Sequence, residues 1–288
     1  MSSKRDKLKS FSEEWFGFFV SLIRILFLGK KNIPTSGRQK DSHSIIIFGN
    51  GPSFKDMIEN QTDFWVDKSR LMVNFSACSS YFEVVKPNYY LVADPVFWLH
   101  KDKEEKLFHA LTNKTDWDLI LFMPADAFKS MHWQREIKKN KHIRVYPHNT
   151  IPIEGPDWFC DWAFRKGLGV PRPHNVLIPA LMVALRMGFS QIYLSGAEHS
   201  WIHDIGISDD NRVIMNFTHF YDNGKTNKTD QTQYASYPLY QILYHQYIIF
   251  KMYREIEAVS KRWGLKIYNT TPGSFIDAFE RYALNKNL

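Results

Sequence analysis

Between Gly49 and Ser53 the chain reads GNGPS, directly after the run SIIIF. Two glycines around an asparagine relax the backbone, Pro52 suits a first helical turn, and Ser53 suits a helix cap. A strand that breaks into such a loop and enters a helix offers N–H groups at a positive helix end, which is chemistry for a phosphate. The Gly-Lys-Ser/Thr of a P-loop is absent, and so is the third glycine of the dinucleotide fingerprint. A plain strand-to-helix turn would look much the same. Further on, EHSWIHD (Glu198, His199, His203, Asp204) places two histidines at i and i+4, a metal-ligand spacing if helical. It follows a strand directly and lacks the HExxH arrangement, so it reads as a loop rather than a zinc site.

The elements that must carry these residues alternate. SIIIFG, RLMVNF, PNYYLVAD, DLILFMP, IRVYPHN, QIYLSG and LKIYNTTP read as short apolar strands. Between them lie helix-like SFKDMIEN, the apolar VLIPALMVALRMG and a long stretch from about Tyr237 to Trp263. Strands buried on both faces and alternating with helices predict an α/β fold, a Rossmann-like doubly wound, mostly parallel sheet. Ligands in such sheets bind outside the carboxyl ends of the strands. The polar residues there are Asn50, Asn74, Asp94, Ser195, Glu198 and Asn269 to Thr271. The segment 147–175, which opens with PHNTIPIEGPDWFCDWAF, reads as a lid-like insertion or a packed excursion. The aromatic repeat of YPLYQILYHQYIIFKMYREI reads as a core or subunit-contact face rather than a sugar platform.

Composition sets the outer limits. The chain has 288 residues, 44% of them hydrophobic, enough for one large domain or a domain with an appendage. Two cysteines, Cys78 and Cys160, make neither a disulfide framework nor a zinc site and point to a reducing compartment. The net charge is +7, but residues 1–41 alone hold nine Lys/Arg against four Asp/Glu. The body is therefore nearly balanced and carries no nucleic-acid footprint.

Residues 1–31 form a separate unit and residues 32–43 (NIPTSGRQKDSH) a polar linker, leaving 44–288 as the main domain. A basic run, a cap at Ser12, an apolar stretch from Trp15 to Leu28 and then Lys30 and Lys31 predict an amphipathic helix. Its apolar part is shorter than the roughly 20 residues a bilayer requires, and Arg24 interrupts it. The expectation is a helix lying on an anionic membrane surface, peripheral, on the cytoplasmic face of an inner membrane. Packing on the body or on a second copy of the chain is the alternative.

Five stretches in order, IIIFGNGPS, MVNFSA, YYLVADPVFW, VALRMGFSQIYLSGAEHSW and KIYNTTPGSFIDAF, resemble the family 42 glycosyltransferases, bacterial sialyltransferases. A sixth, FTHFYDNG, falls where that family carries its catalytic histidine. The resemblance is remote and spans roughly Ser44 to Tyr282. It implies an inverting enzyme moving a nonulosonic acid from a CMP-activated donor to a glycan or glycolipid acceptor, for surface polysaccharide synthesis. It implies no cofactor and no metal. His219 would be the general base; Asn50, Gly51 and Ser53 would contact donor phosphate and ribose, and Asn74 the nucleotide-sugar. Asp94 stands where the family usually has asparagine, a change that could alter donor choice or permit a cation. Ser195, Gly196 and Glu198 would surround cytidine and ribose. The family's run before the long helix is not reproduced, so Arg172, His174 and Asn175 are approximate substitutes, and Ser200 and Tyr221 stand near the leaving-phosphate tyrosines. The loop is shared with a broader group, so a Mg²⁺-dependent pterin-type pyrophosphokinase remains an alternative. So does a non-catalytic membrane-surface assembly or nucleotide-sensing protein. His199 and His203 are the rivals to His219, and a homo-oligomer is compatible with the sequence.

Overall fold

The computed structural model describes residues 4–29, 42–215 and 237–284. His219 and Tyr221 lie outside them. Ten α-helices, three short 3-10 helices and ten strands occur among the described residues. The strands are β1 (Ser44–Phe48), β2 (Ser69–Val73), β3 (Tyr89–Leu91), β4 (Leu119–Pro124), β5 (Ile143–His148), β6 (Gln191–Ser195), β7 (Ile205–Ile207), β8 (Val213–Met215), β9 (Lys266–Asn269) and β10 (Glu280–Arg281). The helices are α1 (Lys4–Leu28), α2 (Phe54–Asn60), α3 (Thr62–Trp65), α4 (Tyr81–Val85), α5 (Val96–Leu99), α6 (Lys101–Lys114), α7 (His132–Ile137), α8 (Asp157–Arg165), α9 (Leu177–Arg186) and α10 (Leu239–Arg262).

Eight strands form one parallel sheet in the order β10-β9-β6-β1-β2-β3-β4-β5, and β7 and β8 form a small antiparallel hairpin. The protein is therefore an α/β fold of the Rossmann-like kind with an N-terminal helix. From β1 the chain steps outward through β5, then crosses back and lays β6 on the other side of β1. The direction of winding thus reverses between β1 and β6, the place where such sheets open a crevice.

The triple isoleucine explains itself in this frame. Successive strand side chains point to opposite faces. Ile45 and Ile47 join a core made with α8, α9 and α10, while Ile46 and Phe48 join the one under α2, α6 and α7. All four are fully buried, worth roughly 2–3 kcal/mol each. The same division runs through Leu71/Met72, Tyr89/Tyr90, Ile120/Leu121 and Ile192/Tyr193. Pro179 sits in the first turn of α9, where no intrahelical N–H is needed, and the rest of α9 runs uninterrupted to Arg186.

Two local expectations differ. Helix α1 begins at Lys4, so Ser12 lies inside the helix and does not cap it. Ser53 flanks α2 without a side-chain cap bond, because its backbone is already helical (φ −70°, ψ −8°) where a capping residue is extended, and its N–H donates to the Glu198 carboxylate. The segment 147–175 carries α8, which buries Phe159, Cys160, Ala163 and Phe164 in the core. A single parallel bridge, Pro152 to Val170, closes it, and the Asn149 amide donates to Gly167 O at 2.8 Å.

Helix α1 docks on this segment. Ser21, fully buried, donates to Glu154 O at 2.9 Å and accepts from Glu154 N–H at 2.8 Å. Phe18 lies edge-on to Phe159, ring centres 4.7 Å apart. Ser21→Leu deletes both bonds and crowds a closed spot. Proteolytic cleavage within α1 should then speed up tenfold or more, the equivalent of about 1.4 kcal/mol of local stability, with the body's melting transition retained. An unchanged cleavage rate would show that this seam does not hold α1.

Candidate functional site

The β1 and β6 ends lie side by side, with Phe48 paired to Ser195. Beyond the pair, Gly49 N–H donates to Ser195 O at 2.7 Å and Gly51 N–H to Gly196 O at 2.8 Å. Ser53 N–H donates to Glu198 Oε1 at 2.6 Å, and Phe54 N–H to Gly51 O at 3.1 Å. These are the amides expected to cradle a phosphate, and they are spent joining one loop to the other. In this structure the Gly51 and Ser53 N–H groups are bonded within the protein, and the Glu198 carboxylate holds the position at the start of α2.

Glycine is required at this junction. A Cβ on Gly51 would lie 1.6 Å from Glu198 Oε2 and 2.7 Å from Gly196 O, and Gly196 itself sits at φ +66°. A third loop clamps the second: Ala197 N–H donates to Thr271 Oγ1 at 3.1 Å, and Ser274 Oγ donates to Ala197 O at 2.7 Å. Asn269 and Thr270 are likewise buried and turned to Ser274 Oγ and Leu194 O. The polar run after β9 thus positions the crevice rather than lining it.

The stitching leaves three side-chain atoms over at the strand ends. Asn50 Oδ1, Ser53 Oγ and Glu198 Oε2 are buried with no hydrogen-bond partner among the described residues. Two of the three are pure acceptors, one of them a carboxylate oxygen. Leaving buried acceptors bare costs about 1–3 kcal/mol each, a cost that a water or the O–H or N–H group of a ligand would remove. Ser195 is buried and contributes its main chain.

The neighbouring strand ends are partly occupied. Asn74 adopts a left-handed φ of 48°, its Oδ1 accepts from Ala93 N–H at 3.2 Å, and its carbonyl accepts from the Tyr90 hydroxyl. Its amide nitrogen is the group left for a ligand. Asp94 is exposed and accepts from Val96 N–H at 3.0 Å, capping α5. Ser200 opens a one-turn helix to Asp204 and is half-buried. No cluster of three or more His, Cys, Asp or Glu side chains able to hold a metal occurs among the described residues.

Behind the crevice lies a network that sequence reasoning did not assemble. His199 Nε2 meets the Tyr253 hydroxyl at 2.7 Å, and the Asn175 amide donates to the same hydroxyl at 3.0 Å. Asn175 Oδ1 accepts from Leu177 and Ile178 N–H and caps α9. The His199 ring stacks on Trp201 at 4.3 Å. Burial pushes its pKa down to about 3. His199 is thus a buried neutral imidazole held against Tyr253, and His203, exposed, lies edge-on to Phe275 at 4.7 Å. Arg172 forks onto Glu154 at 2.6 and 3.0 Å, and His174 Nδ1 meets His245 Nδ1 at 3.2 Å. A cavity of about 790 Å³ opens between α6 and α7, lined by Glu104, His109, Trp133 and Glu136 among others. It lies on the helical layer and includes none of the strand-end residues.

Compared with known protein families, curated protein sequences and solved structures, the chain matches none. The site therefore has to be read from its own atoms.

Gly51→Ala should destabilise the fold by about 1–3 kcal/mol in urea denaturation, since backbone and carboxylate must both give way. A neutral result would mean the two loops are not held as described. A second expectation concerns pH. His148, buried and pushed down to about 4 chiefly by desolvation, and His199, pushed to about 3, stay neutral in the fold and protonate near 6.5 when unfolded. The unfolded chain then binds more protons, so stability is complete above about pH 6.5 and falls as pH drops toward those folded values. The slope is up to about 1.4 kcal/mol per pH unit for each histidine. His199→Gln should flatten the dependence by one histidine's share; an unaltered slope would contradict its neutral burial.

Proposed function

We propose that the chain is an inverting glycosyltransferase that takes a nonulosonic acid or related keto-sugar from a CMP-activated donor. The acceptor is a glycan or glycolipid at a membrane surface, and residues 1–31 hold the enzyme there. The observation that carries the reading is the convergence of Asn50 Oδ1, Ser53 Oγ and Glu198 Oε2 at the reversal between β1 and β6. Two acceptors and a hydroxyl suit the ribose hydroxyls and exocyclic amine of a nucleoside better than they suit a bare phosphate. The resemblance places cytidine and ribose at the turn that carries Glu198, which agrees in chemistry with its spare oxygen.

In this reading the acceptor hydroxyl attacks the anomeric carbon as that carbon's bond to the phosphate oxygen breaks, and the bonding pair leaves with CMP. The hydroxyl proton passes to His219, whose ordinary pKa near 6.5 leaves it largely neutral at pH 7. Direct displacement requires no protein nucleophile. The leaving phosphate is not met by the N–H groups of Gly51 and Ser53, which are already bonded. Ser200 and Tyr221 remain the candidates for that contact. Asn74 and Asp94, at the next two strand ends, face the sugar side of the donor.

CMP should raise the melting temperature, and ATP with Mg²⁺ should not. Glu198→Gln should weaken CMP binding by about 10- to 100-fold, the scale of a hydrogen bond to a charged group. Stabilisation by ATP–Mg²⁺ alone would point to a pyrophosphokinase, and by neither to a non-catalytic assembly or sensing role. His219→Ala should lower sugar transfer by roughly 100- to 10,000-fold with CMP affinity retained. Near-normal turnover would remove His219 from the mechanism.

A further inference from the structure

From Trp15 to Phe27, helix α1 turns apolar side chains outward as well as inward. Its inward side, with Phe18, Ser21, Leu22 and Ile25, packs on the body. At 3.6 residues per turn, Trp15, Phe16, Phe19, Ile23, Leu26 and Phe27 fall together on the opposite side, and all six are exposed. A surface helix that meets water turns charged residues outward, whereas this side of α1 carries a contiguous set of large apolar ones. The apolar surface does not stop at α1. Aromatic rings touch in an unbroken series from Phe11 through Trp15 and Phe18 to Trp158, with centres 6.1, 5.5 and 5.8 Å apart. Trp158 and Trp162 stand on either side of the buried Phe159, each at 6.0 Å from its ring. Trp158 is 62% exposed and Trp162 is 47% exposed.

We infer that α1 and α8 form one membrane-docking platform, in which Trp158 and Trp162 enter the headgroup layer of an anionic membrane beside α1. The inference rests on reading residues 1–31 as membrane-associating and adds α8 and a fixed orientation. Tryptophan, with an apolar ring and one N–H donor, is the side chain that settles at a membrane–water boundary. The acids on α8 would oppose an anionic surface, but Arg262 engages both. It forks onto Asp161 with two bonds of 2.9 Å and reaches Asp157 at 3.4 Å. Charge also selects lipid over a second copy. Residues 1–41 carry nine cations and four acids, which an anionic surface attracts and an identical segment repels. Because Ser21 and Glu154 bond α1 to the body, the platform fixes how the strand-end crevice faces the membrane.

The test is co-sedimentation of the full chain with phosphatidylcholine vesicles, with and without phosphatidylglycerol. The double variant Trp158→Ser/Trp162→Ser, checked for an unchanged melting temperature, should lose tenfold or more in partition onto the anionic vesicles. A polarity-sensitive dye on Trp158→Cys should shift to the blue on adding them, a readout that survives if the double variant misfolds. Wild-type partition in the double variant and no dye shift would overturn the platform. If replacing Lys4, Arg5, Lys7 and Lys9 with Gln then still abolishes binding, the membrane reading of α1 stands without α8. Absence of vesicle binding by the wild type would overturn both. Dimerisation lost in the double variant, in a protein that ignores vesicles, would assign the surface to a second copy instead.

Discussion

The β1 and β6 loops meet backbone to backbone, through Gly49 on Ser195 and Gly51 on Gly196, at a separation that admits no side chain. This contact exists only because the winding reverses there and puts two distant strands in register, Ser44 opposite Gln191 through Phe48 opposite Ser195. Once the amides are committed to that seam, the helix start can no longer offer them to a phosphate. The Glu198 carboxylate takes one, and its second oxygen is left over beside Asn50 and Ser53. The character of the crevice, rich in acceptors, comes from the way the fold is closed.

A second line of contacts ties helix α1 to the same strand ends. Glu154 bonds Ser21 of α1 through its main chain and Arg172 through its carboxylate. Arg172 leads within three residues to Asn175, which caps α9 and bonds Tyr253. Tyr253 in turn holds His199, next to Glu198. Each bond is worth about 1 kcal/mol, somewhat more where charged. Together they make α1 part of the body and not a tether, so a membrane that captures α1 also orients the site.

Most strands of the sheet and helices α1, α9 and α10 were legible because buried strands and apolar helices leave long runs, such as SIIIF, LILFMP and LIPALMVALR, whereas the charged α6 (KDKEEKLFHALTNK) shows no such run. The short β10 and the β7–β8 hairpin were not, since two or three residues carry no period. Gly49 to Ser53 and Ser195 to Glu198 could be singled out as strand ends, and the structure brings them together. Their roles could not be read in the same way. Which amides remain for a ligand depends on what lies across the seam, and GNGPS reads alike whether Glu198 is there or not. Tyr253 looked like one more core aromatic, because its partners Asn175 and His199 lie 78 and 54 positions away. The apolar run of α1 was visible, but its contact with Trp158 through Phe18 exists only in three dimensions.

The most direct test of this account is a crystal structure of the protein soaked with cytidine, which carries hydroxyls and an amine but no phosphate. The account predicts cytidine between the β1 and β6 ends, with donors within about 3 Å of Glu198 Oε2 and Asn50 Oδ1. Cytidine lodged in the cavity between α6 and α7, or CMP seen at the strand ends with its phosphate on Ser53 N–H and Glu198 displaced, would contradict it.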